Sequence, residues 1–229
     1  MPNSVRKIRG LPVFRATIKK SPFVGAYISL FGERAIVPPI APNGFLGRLE
    51  NHLGAKYVVT TLGGVSTIGS MVAMNKDKMI LPRTIQEDEL SAIMQTGSDA
   101  LIVNSKLLAW GNLVTLNNKG AIISNIVPEA VKREIADFLG IECVPVSIGG
   151  FRTVGSLFAI SNDFGLVSPL VKTNVYELAE SVLRIRLSSC TVNDGERLVR
   201  LGVVLNERGI IVGRTTTGAE LMAIQSLFS

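Results

Sequence analysis

An internal period of about 44 residues constrains the fold of this chain more than any other feature. Five segments each place a burst of apolar β-formers directly after a polar turn. Their first residues are separated by 44, 42, 45 and 44 positions. They start at Arg34, Lys78, Gly120, Gly165 and Gly209. Spacing this regular is typical of a fold that packs several copies of one supersecondary unit.

Each repeat carries the same succession of predicted elements. A strand precedes each turn, starting at Phe23, Thr67, Leu108, Thr153 and Leu198, and a further strand lies upstream, as in KYVVTTL from Lys56. The apolar period then changes from 2 to about 3.6, which predicts a helix. The clearest helix runs from Pro128 to Gly140, because proline suits a helix start and glycine a helix end.

The repeat therefore predicts a mixed α/β fold of five β-β-β-α units. One such unit cannot bury both faces of its own small sheet, so the units must pack together. We expect a closed ring with the strands inside and the helices outside. The predicted boundaries are a basic arm over residues 1–12 and one domain over 13–229, with units at 13–54, 55–97, 98–140, 141–184 and 185–229.

The positive charge is concentrated at the N-terminus. The net charge is +6, and residues 1–20 hold six basic residues and no acid, so the rest of the chain has 18 basic and 18 acidic residues. Such an arm suits either a phosphate contact with nucleic acid or a solvated tail. The candidates for RNA contact are Arg6, Lys7 and Arg9. We expect a cytoplasmic protein, because no apolar run is long enough to span a membrane.

Catalytic and cofactor sites are hard to assemble from this sequence. The stretches TLGGVSTIGS and SIGGFRTVGS lack the lysine of a phosphate-binding loop, so Gly63-Gly64 and Gly149-Gly150 are interpreted as tight turns. Cys143 and Cys190 have no metal-ligand spacing, and the single histidine, His52, is near neither of them in sequence. We expect no catalytic residues, no metal and no cofactor.

Several segments together resemble the translation initiation factor 6 family, from about residue 13 to the end. They are SPFVGAY (21–27), ALIVNSKLLAWGNLVTLNNKGAIIS (100–124), SIGGFRTVGS (147–156), CTVNDGERLVRLGVVLNERG (190–209) and GRTTTGAELMAIQSLF (213–228). The ending at Ser229 is similar to the archaeal branch. Two features depart from the family pattern: Thr215 stands where the family usually has aspartate, and the basic arm is longer than in archaeal members.

The resemblance implies the pentein fold, a ring of five quasi-identical blades. It also implies that a monomer binds the large ribosomal subunit, at ribosomal protein uL14 near the sarcin–ricin loop, and keeps the small subunit away. It further implies a part in large-subunit maturation. Two alternatives stay open: a pentein-fold enzyme, which would need a cysteine within reach of His52, and a carrier of a small ligand or peptide in the central channel.

Pseudo-symmetry places the connection that enters each second strand on one rim of the ring, which predicts the ribosome-binding surface there. Asn112 is the leading candidate, because it belongs to a Gly-Asn pair that matches the family. Trp110 is either an aromatic anchor or a core residue. We expect Arg152 to be exposed, since a buried arginine needs an acidic partner. The remaining candidates on this rim are Ser66, Thr67, Thr153 and Arg197.

Overall fold

The computed structural model describes residues 10–226, and within them the strands form five sheets of three strands each. In every sheet an antiparallel hairpin is joined by a third, parallel strand. The strands are β1 (Val13–Ala16), β2 (Ser29–Phe31), β3 (Arg34–Val37), β4 (Lys56–Val59), β5 (Ala73–Met74), β6 (Lys78–Pro82), β7 (Asp99–Val103), β8 (Val114–Leu116), β9 (Gly120–Ser124), β10 (Glu142–Val146), β11 (Phe158–Ile160), β12 (Phe164–Val167), β13 (Arg186–Ser189), β14 (Val203–Asn206) and β15 (Gly209–Gly213).

A long helix follows each hairpin, and four of the five return the chain to the parallel strand of the same sheet. They are α1 (Asn43–Leu53), α2 (Glu87–Met94), α3 (Glu129–Leu139), α4 (Thr173–Leu183) and α5 (Gly218–Gln225). A parallel pair requires such a crossover. Gly54 and Gly140 end α1 and α3 with positive φ, as the helix after Pro128 was predicted to end.

Strand β1 closes the ring. It pairs in parallel with β15, with Val13 opposite Ile210 and Ala16 opposite Gly213, so the first strand completes the sheet of the last hairpin. The inner strands β2, β5, β8, β11 and β14 each contact the next, and β14 contacts β2. The predicted five-unit ring is therefore confirmed. Each sheet combines strands from two of the five predicted units. Its hairpin lies in one unit, and its parallel strand lies in the next unit around the ring.

Side-chain amides reinforce this closure at the hairpin turns. Asn117 donates from Nδ2 to the Leu183 carbonyl at 2.8 Å. Asn206 donates to the carbonyls of Gly32 at 2.7 Å and Leu53 at 2.8 Å, which links the last repeat to the first. Buried backbone carbonyls need such partners, so both asparagines satisfy the backbone where repeats meet.

One prediction about local structure was wrong. The segments predicted as second strands each begin with a single helical turn, and only their later residues are extended. The turns are Val24–Tyr27, Ile68–Met71, Trp110–Leu113, Val154–Leu157 (a 3-10 turn) and Val199–Gly202. Four residues are too few to show a helical period, and the glycine-containing apolar sequence fits either conformation.

These short turns contact one another around the axis. In four of them the second residue is glycine, and a Cβ on Gly69 would lie only 2.0 Å from the Gly25 carbonyl oxygen. Neighbouring turns therefore pack backbone to backbone, which a larger residue prevents.

The fifth turn has Arg200 where the others have glycine. Its Nη2 donates to the carbonyls of Gly69 (3.3 Å) and Val72 (3.2 Å), which belong to the second repeat. Burial lowers the pKa of Arg200 to about 10, and its Nε is buried without a partner in the described part of the chain. Arg200 thus links two non-adjacent repeats beside a cavity of about 20 Å³.

Candidate interaction surface

Four of the five parallel strands lead into a tight reversal on one rim of the ring. The bridged pairs are Ile18 with Ser21, Leu62 with Val65, Ile148 with Phe151, and Val192 with Glu196. Gly63 and Gly64 have φ of 59° and 74°, and Gly149 and Gly150 have φ of 49° and 83°. The interpretation of these glycines as tight turns is confirmed, since glycine adopts positive φ without strain. We call this side of the molecule the turn rim.

A glutamate holds the turn of the second repeat. The Glu89 carboxylate accepts hydrogen bonds from the amides of Gly63 (2.6 Å) and Gly64 (3.0 Å) and from the Thr61 hydroxyl (2.5 Å). Burial alone would raise the pKa of Glu89, but these hydrogen bonds and one from the Gln86 amide lower it. The carboxylate therefore ties the turn to the start of α2.

Glu220 has the same role in the fifth repeat. It accepts from the amides of Asp194 (3.1 Å) and Gly195 (2.9 Å) and from the Thr191 hydroxyl (2.7 Å). It also accepts from the Thr217 amide at 2.7 Å and so caps α5. Burial opposes ionisation, yet the hydrogen bonds lower the pKa of Glu220 to about 2. The turn rim is thus rigidly attached to the ring at two repeats.

Six of the seven predicted rim residues, all except Trp110, keep some exposed surface. Arg152 and Arg197 are exposed, in agreement with the expectation for Arg152. Ser66, Thr67 and Thr153 are half-buried, and the Thr153 carbonyl and hydroxyl both accept from the Ser156 hydroxyl. The RNA-contact candidates Arg6, Lys7 and Arg9 lie outside the described residues.

The position of Trp110 corrects its prediction as a candidate for the ribosome-binding surface. Its side chain is 0% exposed and belongs to an apolar cluster with Leu113, Val114 and Ile135. It therefore packs the core and cannot act as an exposed anchor in this structure. Asn112 is half-buried, and its Oδ1 is buried without a partner in the described part of the chain. Asn112 thus presents only part of its side chain to a partner.

A groove lined by both polar and apolar residues on the turn rim was not predicted. One part, of about 490 Å³, is lined by Phe23, Phe151, Leu170 and the segment 193–198. A second part, of about 310 Å³, shares Phe23 and Glu196 and reaches Thr67. Phe151 and Val65 are exposed large apolar residues beside the turns. The groove brings together Arg197 and Thr67 with residues from four repeats. The sequence signal that could have indicated an apolar surface here is the apolar residue that directly follows each Gly-Gly pair.

The chemistry of the remaining candidates is unlike that of a nucleophile. Burial raises the pKa of the Cys143 thiol to about 11 and that of the Cys190 thiol to about 12, with Glu142 and Glu220 adding smaller effects. His52 stacks on Phe14, with ring centroids 3.9 Å apart. Within residues 10–226 no group of three metal-binding side chains occurs, and no helix there is long and apolar enough to cross a membrane.

The closed ring of five repeats defines the class of fold. Solved structures of a dimethylarginine dimethylaminohydrolase, as an adduct with S-methyl-L-thiocitrulline, and of the N-terminal domain of the arginine dihydrolase ArgZ both match with TM-scores of 0.50. They are 10% and 12% identical, and they cover 73% and 74% of this chain and 68% and 69% of their own. At these identities the likeness shows the fold alone, which is the pentein ring.

The sequence comparisons give the family. The eIF-6 family model matches residues 13–227, and the chain belongs to this family. Translation initiation factor 6 of Sulfolobus acidocaldarius is 31% identical over 90% of this chain and 94% of its own length. Eukaryotic translation initiation factor 6 of Dictyostelium discoideum is 30% identical over 90% of this chain and 86% of its own. Family membership assigns the chain a role in translation initiation.

Proposed function

We propose that this protein binds the large ribosomal subunit and prevents its association with the small subunit. The carrying observation is that a member of the eIF-6 family presents a continuous mixed groove on one rim of a closed ring. The partner surface is uL14 near the sarcin–ricin loop, and the protein acts as a monomer in the cytoplasm. Occupation of the same surface during large-subunit maturation is part of the proposal.

The size of the rim supports a protein interface. A stable protein interface buries ~800 Å² on each partner, which exceeds what one turn can supply. The groove walls come from four repeats and include Arg197 with the apolar residues Phe23 and Phe151. Arg152 follows Phe151 in the chain and is exposed. Aromatic residues and arginines contribute most of the binding energy in such interfaces. Ser66, Thr67, Asn112 and Thr153 are proposed as surrounding polar contacts.

The two alternative functions have weaker support. An enzyme of the pentein class needs an activated nucleophile, whereas burial keeps both thiols protonated near neutral pH. A carrier that uses the ring axis needs room for its ligand, whereas the cavity beside Arg200 measures about 20 Å³. A volume of this size holds about one water molecule.

Co-sedimentation with purified ribosomal subunits tests the proposal. The protein should pellet with large subunits and not with small ones. Arg152→Glu and Arg197→Glu should each weaken large-subunit binding at least about tenfold, as expected for an interface arginine that contributes more than 1.4 kcal/mol. Arg133→Glu is the matched control. Arg133 is exposed on α3, and its substitution reverses the same charge.

The variants also locate the surface. If Arg133→Glu abolishes binding while both rim variants bind normally, the turn rim is the wrong face. If the unmodified protein pellets equally with both subunits or with neither, the proposed function itself is wrong. Circular dichroism should show that all three variants are folded before binding is compared.

A further inference from the structure

Three arginines line one cleft at the site of ring closure. Arg15 lies on β1, Arg48 on α1, and Arg214 directly after β15, and the cleft of about 480 Å³ also includes Ala16 and Thr17. These residues are far apart in sequence. Closure brings them together, because β1 pairs with β15 and α1 contacts β15. The cleft is therefore a product of the tertiary fold.

In the part of the chain that the structure describes, no acidic side chain pairs with any of the three arginines. Within residues 10–226, none of the three guanidinium groups makes an ion pair or a hydrogen bond. By contrast, Arg208 pairs with Glu33. Like charges that converge in one cleft repel one another. A bound anion would convert this repulsion into attraction.

Comparison of the repeats points to the same place. Thr17 occupies the position of Thr61 and Thr191, one residue before the bridged residue of each turn. The hydroxyls of Thr61 and Thr191 donate to the carboxylates of Glu89 and Glu220.

The first repeat lacks that carboxylate. Glu89 and Glu220 are the third residues of their helices, and the third residue of α1 is the buried Phe45. The first repeat thus keeps the threonine, lacks the internal acid and adds arginines. In the second and fifth repeats a carboxylate of the protein itself accepts the threonine hydrogen bond. In the first repeat an external anion can take that place.

We propose that this cleft, formed by Arg15, Arg48, Arg214 and Thr17, binds a phosphate group, and that an RNA backbone supplies it. Guanidinium groups match phosphate oxygens with paired hydrogen bonds, and the threonine hydroxyl adds a donor. Lys19 and Lys20 are exposed in the adjoining turn and extend the positive surface. The proposed function enters only in naming ribosomal RNA as the natural source, since the site itself rests on the cleft.

RNA binding by the isolated full-length chain tests the cleft. We would measure the anisotropy of a labelled short RNA at several KCl concentrations with the variant Arg15→Gln/Arg48→Gln/Arg214→Gln. Losing one bound phosphate should reduce the slope of log K against log salt concentration by about 0.7 for a single strand. Affinity at low salt should fall at least about tenfold. The control Lys56→Gln/Lys172→Gln/Arg186→Gln removes equal charge from exposed positions elsewhere.

A second arm separates the two sources of phosphate. Thermal unfolding is followed in phosphate and in chloride at equal ionic strength. Weaker RNA binding by the cleft variant alone supports an RNA site. The other possible result is that phosphate stabilises the unmodified protein but not the cleft variant, while both bind RNA equally. That result supports a site for free phosphate instead of RNA.

Equal behaviour of the cleft variant and the control in both assays overturns the proposal, provided that both unfold cooperatively. Neither assay contains ribosomes. Failure of the cleft therefore leaves the co-sedimentation result untouched, and failure of ribosome binding leaves the cleft result untouched.

Discussion

Two glutamates fix the turn rim to the body of the ring, and each combines burial with several hydrogen bonds. Glu220 is 8% exposed and Glu89 is 3% exposed. A buried carboxylate that accepts backbone amide hydrogen bonds strongly favours its charged form. The same side chains cap α2 and α5. Each glutamate thus couples the stability of a helix start to the position of a turn in the proposed interface.

Glu220→Gln should remove stability in a pH-dependent way. Because the pKa of Glu220 falls from 4.5 to about 2 on folding, the unfolded chain binds more protons between these values. The contribution is present above pH 4.5 and is lost as the pH falls towards 2. At pH 7 we expect the variant to lose about 2 to 3 kcal/mol of unfolding free energy, measured by urea denaturation.

The matched control is Glu177→Gln on the exposed face of α4, which should change the unfolding free energy by less than about 0.5 kcal/mol. The difference in unfolding free energy between the unmodified protein and Glu220→Gln should shrink as the pH is lowered towards 2. A deficit that stays constant across this range would show that the carboxylate charge is not what holds the turn.

At the scale of elements, the five short helical turns set how closely the repeats approach. Their backbones meet near the axis because four of them have glycine at the second position. The fifth uses Arg200 to reach the carbonyls of the second repeat. The turns therefore decide the spacing of the inner strands that follow them.

Gly69→Ala should destabilise the protein by about 3 kcal/mol, as overpacking of a closely packed contact does. The added Cβ would lie 2.0 Å from the Gly25 carbonyl oxygen and 2.4 Å from that of Ile28. Gly44→Ala in α1 makes the same chemical change with no atom within 4 Å. It should be neutral or stabilising by up to about 1 kcal/mol. Equal effects of the two substitutions in urea denaturation would contradict this packing account.

The elements show where prediction from sequence succeeds and where it stops. The hairpins and long helices are predictable because their apolar periods extend over several residues, as from Glu129 to Leu139. The short turns are not, because their conformation is fixed by contacts with other repeats. Alignment of the repeats does expose Arg200, since arginine replaces a glycine that recurs four times. Its contact with Gly69 and Val72 still requires the closed ring.

At the scale of the whole molecule, closure creates the surfaces that carry function. Sequence reasoning placed Arg152 and Arg197 on one rim by pseudo-symmetry, and both are exposed there. It did not find the groove around Phe23, because that groove forms between repeats distant in sequence. The burial of Trp110 was one of two interpretations of the sequence, since residue type alone does not distinguish an aromatic anchor from a core residue.

A subunit-joining assay tests the central claim most directly. Large subunits are first saturated with the protein, small subunits are added, and joining is followed by light scattering and by sucrose-gradient sedimentation. We predict that joining is suppressed in proportion to the occupied large subunits and that it recovers with Arg152→Glu/Arg197→Glu at the same protein concentration. Normal joining while the protein stays bound to the large subunits would contradict the account.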